Sequence, residues 1–163
     1  MSCSASKKIL SNIDDYDEYI SKVNGAETFM PLISEIGLYE SIHVYFYTVD
    51  FVFVSQSLNL IVTYNENDYL EIKNGMDAKY KFIKEPIIIG KETYIIPTVD
   101  TTVNGFYIKV VEDESFIYPK KFGMIGVSDS TFQVCYMFYY DWDYDVISNM
   151  SDFVNNNFIF SNN

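Results

Sequence analysis

The sequence predicts an α+β protein: an antiparallel β-sheet, open barrel or sandwich with two N-terminal helices and one C-terminal helix packed on it. Apolar residues recur at helical spacing near both ends of the chain, and they alternate with polar residues between Ser41 and Tyr140. The predicted strands follow one another directly instead of alternating with helices, which is typical of α+β proteins. The length predicts one domain over 1–163, with a helical lead-in over 1–38, antiparallel strands over 41–140 and a C-terminal helix over 141–157.

Helical spacing near the N terminus predicts a first amphipathic helix over 5–23. Its apolar stripe consists of Ile9, Ile13, Tyr16, Ile20 and Val23. The dipeptide Asn24-Gly25 is a good helix stop. A second, short helix is expected between Thr28, which can cap it, and Gly37, which ends it, with Pro31 tolerated in its first turn.

Alternating residues and turn dipeptides predict a long run of strands in the middle of the chain. The predicted strands are 41–48, 50–55, 58–64, 69–73, 79–84, 86–89, 92–96, 98–103, 106–111, 115–118, 122–127 and 131–140. Asn74-Gly75 and Asn104-Gly105 favour type I′ hairpin turns, and Gly90-Lys91 is a third hairpin candidate. The segment 65–68 predicts a further turn. Both faces of strand 131–140 are apolar enough to be covered.

The C-terminal helix is predicted over 141–157 from a stripe of apolar residues. These residues are Val146, Ile147, Met150, Phe153 and Val154. Asp141, Asp143 and Asp145 then stand at its start, where carboxylates complement the helix dipole and cap free amides.

Composition excludes several functions and indicates the kind of partner. The chain of 163 residues contains no arginine and carries a formal net charge of −12, so we expect no direct contact with nucleic acid or anionic membrane. Aromatic residues make up 18% of the chain. They are typical of a Tyr-rich sheet core, and also of an interface with a partner or with a second copy of the chain. Many residues encoded by AT-rich codons, with lysine but no arginine, indicate a low-GC genome such as that of a virus or phage.

The cysteines, together with the lack of a signal-peptide pattern and of a membrane-spanning apolar run in the sequence, predict a cytoplasmic, intracellular protein. Cys3 and Cys135 lie far apart in the chain and are expected to be free thiols in a reducing compartment. No signal-peptide pattern and no apolar run of membrane-spanning length is present in the sequence. We expect neither a cofactor nor a bound metal.

Two acidic clusters are the candidate partner-binding residues. The first is Asp14, Asp15, Asp17 and Glu18; the second is Asp141, Trp142, Asp143, Tyr144 and Asp145. Spaced carboxylates can imitate phosphates and occupy a basic cleft on a nucleic-acid-handling protein, and charge attraction speeds such encounters. We therefore expect a non-enzymatic inhibitor, immunity protein or nucleic-acid mimic. The alternative interpretation is that these residues are ordinary solvated charges that keep the protein soluble.

Two other functions stay open from the sequence. One is a structural subunit of a virion or another large assembly, joined through apolar strands. The other is a small hydrolase or cation-binding protein that uses the cluster from Asp141 to Asp145. Val146 stands where a calcium loop needs glycine, which disfavours that loop. A Cys–His nucleophile pair requires His43 to fold next to a cysteine.

Overall fold

A seven-stranded antiparallel sheet with helices on both faces forms the centre of the protein in a computed structural model, which confirms the predicted α+β class. The structure describes residues 6–50, 54–89, 94–96, 101–142, 147 and 149–160. The strands are β1 Ser6–Leu10, β2 Ser41–Asp50, β3 Val54–Thr63, β4 Ile87–Ile89, β5 Tyr94–Ile96, β6 Thr101–Val103, β7 Phe106–Val110, β8 Lys121–Ser128 and β9 Gln133–Asp141. The α-helices are α1 Tyr16–Lys22, α2 Glu66–Lys79 and α3 Met150–Asn157.

The strand order of the large sheet is β1-β2-β3-β9-β8-β7-β6, and β4 pairs with β5 in a separate hairpin. The two strands at the centre, β3 and β9, come from distant parts of the chain. Leu58 of β3 lies between Phe46 of β2 and Phe138 of β9 in the register, and all three are buried. Strand β9 is buried along both faces, as the alternation over 131–140 predicts.

One face of the sheet, here called the front face, carries Phe46 and Phe138 and is covered by residues 13–36 and by α2. The ring of Tyr19 in α1 stacks on Phe46 with 5.5 Å between centroids. Phe29 lies against Phe138 at 6.2 Å. The N-terminal segment is therefore held on the sheet by aromatic burial, which contributes most of the stability of such short elements.

The opposite face, here called the back face, is covered by α3 and the segment that follows it. Phe153 of α3 packs edge-on against Tyr139 at 4.8 Å and stacks on Phe122 at 5.6 Å. The buried amide of Asn59 in β3 donates a hydrogen bond of 2.6 Å to the carbonyl of Ile159. The side chain of Asn59 thus supplies a hydrogen-bond donor to a backbone carbonyl of the C-terminal segment.

The turn chemistry read from the sequence is confirmed where glycine or asparagine must adopt a left-handed conformation. Asn104 and Gly105 have φ values of 51° and 81°, and they join β6 to β7 as a type I′ turn requires. Gly25 ends the first helical segment at φ 90°. Strands β4 and β5 pair as a hairpin, but the predicted turn at Gly90-Lys91 lies outside the described residues.

The predicted helix over 5–23 is wrong in its first half. Residues Ser6–Leu10 form β1, which pairs along the edge of β2 with Leu10 opposite Phe46. The helical part begins only after Asn12, whose side chain accepts the backbone N–H of Asp14. The second N-terminal helix forms as two single 3₁₀ turns, Ala26–Thr28 and Ile33–Glu35.

The predicted strand 69–73 and the hairpin at Asn74-Gly75 are wrong, because α2 occupies this stretch. Asn65 is the N-cap of the helix, and its side-chain oxygen accepts the N–H of Asp68 at 3.1 Å. The buried stripe is only Tyr69 and Met76, and exposed Leu70 interrupts the helical period. Predicted strands 79–84 and 115–118 are reduced to isolated bridges, Phe82 to Val111 and Ile117 to Lys121.

The predicted C-terminal helix over 141–157 starts too early. Asp141 is the last residue of β9, and α3 begins at Met150 with Asn149 as its N-cap. The side-chain oxygen of Asn149 accepts the N–H of Asp152 at 3.0 Å. The run of acids had the composition of a helix start, but pairing of Asp141 with Ser55 in β3 extends the strand instead.

Within the described part of the chain, no helix is long and apolar enough to cross a membrane.

Candidate functional site

The first predicted acidic cluster forms one exposed surface at the start of α1, here called the α1 acidic face: Asp14, Asp15, Asp17 and Glu18. Asp15 is half-buried and accepts a hydrogen bond of 3.0 Å from Asn12 Nδ2, and the other three are exposed. Glu18 pairs with Lys22 one turn later at 2.5 Å. That hydrogen bond lowers the pKa of the Glu18 carboxyl below its usual value. The Glu18 carboxylate therefore stays ionised in neutral solution.

The α1 acidic face belongs to a larger negative layer over the front face. Residues 12–40 contain seven acidic residues and one lysine, a net charge of −6, which is half of the chain's −12. Six of the seven acids are exposed, Asp15 being the half-buried one. By contrast, Asp152 is the one charged residue among the described residues of α3 and the segment after it. Among the described residues, the segment over the front face is thus far more negative than α3 and the segment after it on the back face.

The second predicted cluster is split by the fold. Asp141 is buried on the back face and accepts a hydrogen bond of 2.8 Å from the hydroxyl of Tyr139. Trp142 is 60% exposed, with the ammonium of Lys120 at 5.2 Å from the ring centroid. Asp143, Tyr144 and Asp145 lie outside the described residues. The structure therefore does not bring Asp141 to the surface that carries the α1 acidic face.

A cavity of about 430 Å³, here called the tyrosine cavity, opens on the front side between the N-terminal segment and α2. Its lining residues are Pro31, Glu35, Ile36, Gly37, Leu38, Tyr64, Asp68, Glu71, Ile72, Gly75, Met76, Lys79, Tyr80 and Tyr136. The volume lies in the range of ligand pockets, which are about 300–1,000 Å³. The walls are mostly aliphatic, the base carries phenol groups, and the mouth carries carboxylates.

Helix α2 is positioned by contacts with the loop between β8 and β9. The hydroxyl of Tyr69 donates to Asp129 at 2.5 Å, and the ammonium of Lys73 pairs with the same carboxylate at 2.6 Å. Phe132 packs on the Tyr69 ring at 5.8 Å. These contacts fix the first half of α2, so that Glu71, on the opposite side from the loop, stands at the cavity mouth.

The side chains of Tyr64 and Tyr136 at the base of the cavity are mostly buried. Burial, with a smaller effect of the Tyr80 phenol, raises the pKa of Tyr64 to about 12. Burial also raises the pKa of Tyr136, with further effects of Tyr64 and Tyr80. The hydroxyl of Tyr16 in α1 donates a hydrogen bond of 2.8 Å to the carbonyl of Pro31 in the cavity wall. The α1 acidic face and the tyrosine cavity are therefore joined through a buried residue of the same layer.

The Cys–His pair considered from the sequence does not form between the described residues. His43 and Cys135 both align with Ile61, one on each side of β3, so two strand spacings, about 10 Å, separate their backbones. Cys135 is buried, and burial raises the pKa of its thiol. Cys3 lies outside the described residues. No group of three potential metal-ligating side chains is present in the described part of the chain.

Sequence reasoning missed the tyrosine cavity because its wall was assigned to the wrong kind of element. The stretch 65–79 read as a turn, a strand and a hairpin, which would place no helix beside Gly37 and Leu38. A usable signal was present in Asn65 with Asp68 three residues later, a helix N-terminal pattern.

Comparisons with known proteins supply no functional assignment. No protein-family model matches the chain, and no match is found among curated proteins or among solved structures. Function must be inferred from the charges and the cavity of this chain.

Proposed function

We propose that the protein is a non-enzymatic, acidic protein-interaction module that binds a basic surface on another protein. The observation that carries the proposal is the concentration of charge on one layer. Residues 12–40 hold half of the net charge, nearly all of it on exposed side chains. Such a negative surface attracts a positive partner and orients it during the encounter.

The partner class that fits is a nucleic-acid-handling protein with a basic cleft, such as a nuclease, polymerase or repressor. The carboxylates of the α1 acidic face would take the places of phosphates in that cleft. The protein would then act as an inhibitor, an immunity protein or a nucleic-acid mimic, in keeping with the low-GC, virus-like composition. The absence of arginine from the sequence argues against direct binding of nucleic acid by this chain.

Charge reversal at two positions tests the proposal. Asp14 and Asp17 are exposed, and their carboxylates make no hydrogen bond or ion pair within the described residues. The double variant Asp14→Lys/Asp17→Lys changes the net charge by +4, from −12 to −8. The control Glu112→Lys/Glu114→Lys makes the same change of charge in an exposed turn outside the acidic layer.

Tagged wild-type protein and both variants would be used to capture partners from a lysate of the organism that encodes the chain. The captured protein would then be purified and titrated directly at low and physiological ionic strength. The proposal expects a basic partner that the wild type and the control bind, that salt weakens, and that the Asp14/Asp17 variant fails to bind. Equal binding by both variants would overturn it.

Recovery of the protein itself or of assembly components, unaffected by salt, would also overturn the proposal. It would instead support the alternative role as a structural subunit joined through apolar strands. Strand β1 at one edge of the sheet is the natural place to look in that case, because Ile9 on it is 55% exposed.

A further inference from the structure

We propose that the tyrosine cavity is the anchoring pocket for one arginine side chain of the basic partner. The inference rests on the proposed function, and it adds a defined contact to a surface so far described only by its charge. Five features of the cavity carry it: aliphatic walls, a buried phenol, a negative mouth, an aromatic ring and a glycine that keeps the space open.

The aliphatic walls match the apolar stem of an arginine side chain. Ile36 and Met76 line the cavity and are buried, and Ile72, which also lines it, is half-buried. Leu38 stands at the rim and is 84% exposed. Long basic side chains bury their methylene groups against such surfaces while the charged end reaches polar atoms. Covering Leu38 would add further burial of apolar area.

The buried phenol supplies a polar atom that lacks a partner. Tyr136 is only 6% exposed, yet its hydroxyl makes no hydrogen bond to any described residue. Buried polar groups in proteins are nearly always paired, so an unpaired one beside a cavity is available to a ligand atom. By comparison, the hydroxyl of Tyr64 already reaches the carbonyl of Ile36, at 3.5 Å. The Tyr136 oxygen can accept an N–H from a guanidinium group.

The charges at the mouth decide the sign of the ligand. Glu35, Asp68 and Glu71 line the cavity against one lysine, Lys79. Glu35 and Asp68 are engaged with Leu32 N–H and with the Asn65 amide. The carboxylate of Glu71 makes no such bond within the described residues. An anion would be repelled here, whereas a cation gains both charge attraction and hydrogen bonds.

The aromatic base favours arginine over lysine. The ammonium of Lys79 lies 5.2 Å from the Tyr80 ring centroid, which is within cation–π distance. A guanidinium is planar, stacks on aromatic rings and donates to several acceptors at once, whereas a lysine ammonium is a compact, strongly hydrated charge. Arginine is also among the residues that most often dominate the binding energy of an interface.

Gly75 leaves the cavity open on the side of α2. A Cβ atom at this helical position would meet nothing within 4 Å. Leucine there would project into the space that the arginine needs, and it is a better helix former than glycine, so the variant should fold. Ala78→Leu is the matched control, because Ala78 is exposed on the same helix and does not line the cavity.

The probe is N-acetyl-L-arginine methylamide, followed by amide NMR shifts of the wild-type protein. We expect shifts centred on Gly75 and Leu38 that saturate. The citrulline counterpart has the same shape without the charge and should bind at least about ten-fold more weakly. Tyr136→Phe should weaken binding of the arginine compound about ten-fold. Gly75→Leu should abolish these shifts, and Ala78→Leu should keep them.

Three results would overturn the inference: no saturable shifts around the cavity, equal binding of citrulline and arginine compounds, or unchanged binding by Gly75→Leu. The captured partner separates this inference from the proposed function. If Asp14→Lys/Asp17→Lys no longer binds the partner and Gly75→Leu binds it with full affinity, the proposed function is supported and the arginine-anchor inference is refuted. If the arginine compound binds the cavity but no basic partner binds the chain, the proposed function is refuted, and the cavity is still shown to bind an arginine side chain.

Discussion

Gly123 of β8 lies under the ring that holds the N-terminal segment on the sheet, and its replacement tests that packing. An ideal Cβ on Gly123 would stand 2.8–2.9 Å from three ring carbons of Phe29. Ordinary carbon contacts begin near 3.5 Å, so the ring would have to retreat by about 0.6 Å. It has little room to do so, because Phe116 and Tyr80 pack against it edge-on, at 5.9 and 6.1 Å.

Two opposing contributions set the size of the Gly123→Ala effect. Alanine in a strand gains roughly 0.5–1 kcal/mol over glycine, because the unfolded chain loses less freedom. Overpacking a filled core costs about 1–3 kcal/mol. We expect the steric cost to win, with a net loss of about 1–2 kcal/mol in the free energy of unfolding. For a chain of this length that corresponds to a fall in Tm of about 2–8 °C.

Urea unfolding of four proteins measures the effect: wild type, Gly123→Ala, Phe29→Leu and the double variant. With the ring removed, alanine at 123 should be neutral or stabilising, so the cycle should return a coupling energy of at least about 1 kcal/mol. If Gly123→Ala were as stable as the wild type and the coupling were zero, Phe29 would not lie on β8, and the wall of the tyrosine cavity would be misplaced.

Three further predictions concern single positions. Gly75→Ala should stabilise the protein by roughly 0.5–1 kcal/mol in urea unfolding, because it sits in a helix with open space around it; a loss would mean that the position is not helical. Asn59→Ala should cost about 1–3 kcal/mol, since it leaves the Ile159 carbonyl without its buried donor; hydrogen exchange should rise at the C-terminal segment, and unchanged exchange there would contradict the contact. The pKa of Tyr64, raised by burial to about 12, lies above the unfolded value near 10. The neutral phenol is therefore favoured in the folded state, and stability should fall as pH rises from about 10 to 12. Tyr64→Phe should make that fall shallower in urea unfolding, and an identical fall would refute the assignment.

Local chemistry explains which parts of the fold could be predicted. The turn at Asn104-Gly105 needs left-handed backbone at two successive residues, so its dipeptide identifies it without any tertiary information. Strand β9 could also be predicted, because a period-two pattern over ten residues, with apolar residues on both faces, is typical of a strand buried on both sides. Both features are decided within a short stretch of chain.

Elements decided by distant partners could not be predicted. The apolar spacing that begins at Ile9 predicts a helix. Ser6–Leu10 forms a strand instead, because it pairs with the edge of β2. Asp141 likewise joins β9 through Ser55, eighty-six positions away in the chain. For α2, exposed Leu70 obscured the helical period, and Asn74-Gly75 imitated a turn dipeptide.

The candidate site was only partly within reach of sequence reasoning. The exposed acids Asp14, Asp17 and Glu18 could be identified, because charged residues beside a buried stripe must face solvent. The tyrosine cavity could not, since Tyr64 and Tyr136 meet through the pairing of β3 and β9 and through the placement of α2.

The most direct test of the central claim is the association rate of the captured basic partner with the protein, measured by stopped flow over a range of ionic strength. The proposed function predicts a rate constant that falls steeply with salt for the wild type and for Glu112→Lys/Glu114→Lys. For Asp14→Lys/Asp17→Lys it predicts a slower rate with a weaker dependence on salt, because the steering charge has been reversed. The same rate and salt dependence in both variants would show that the acidic layer over the front face does not guide binding.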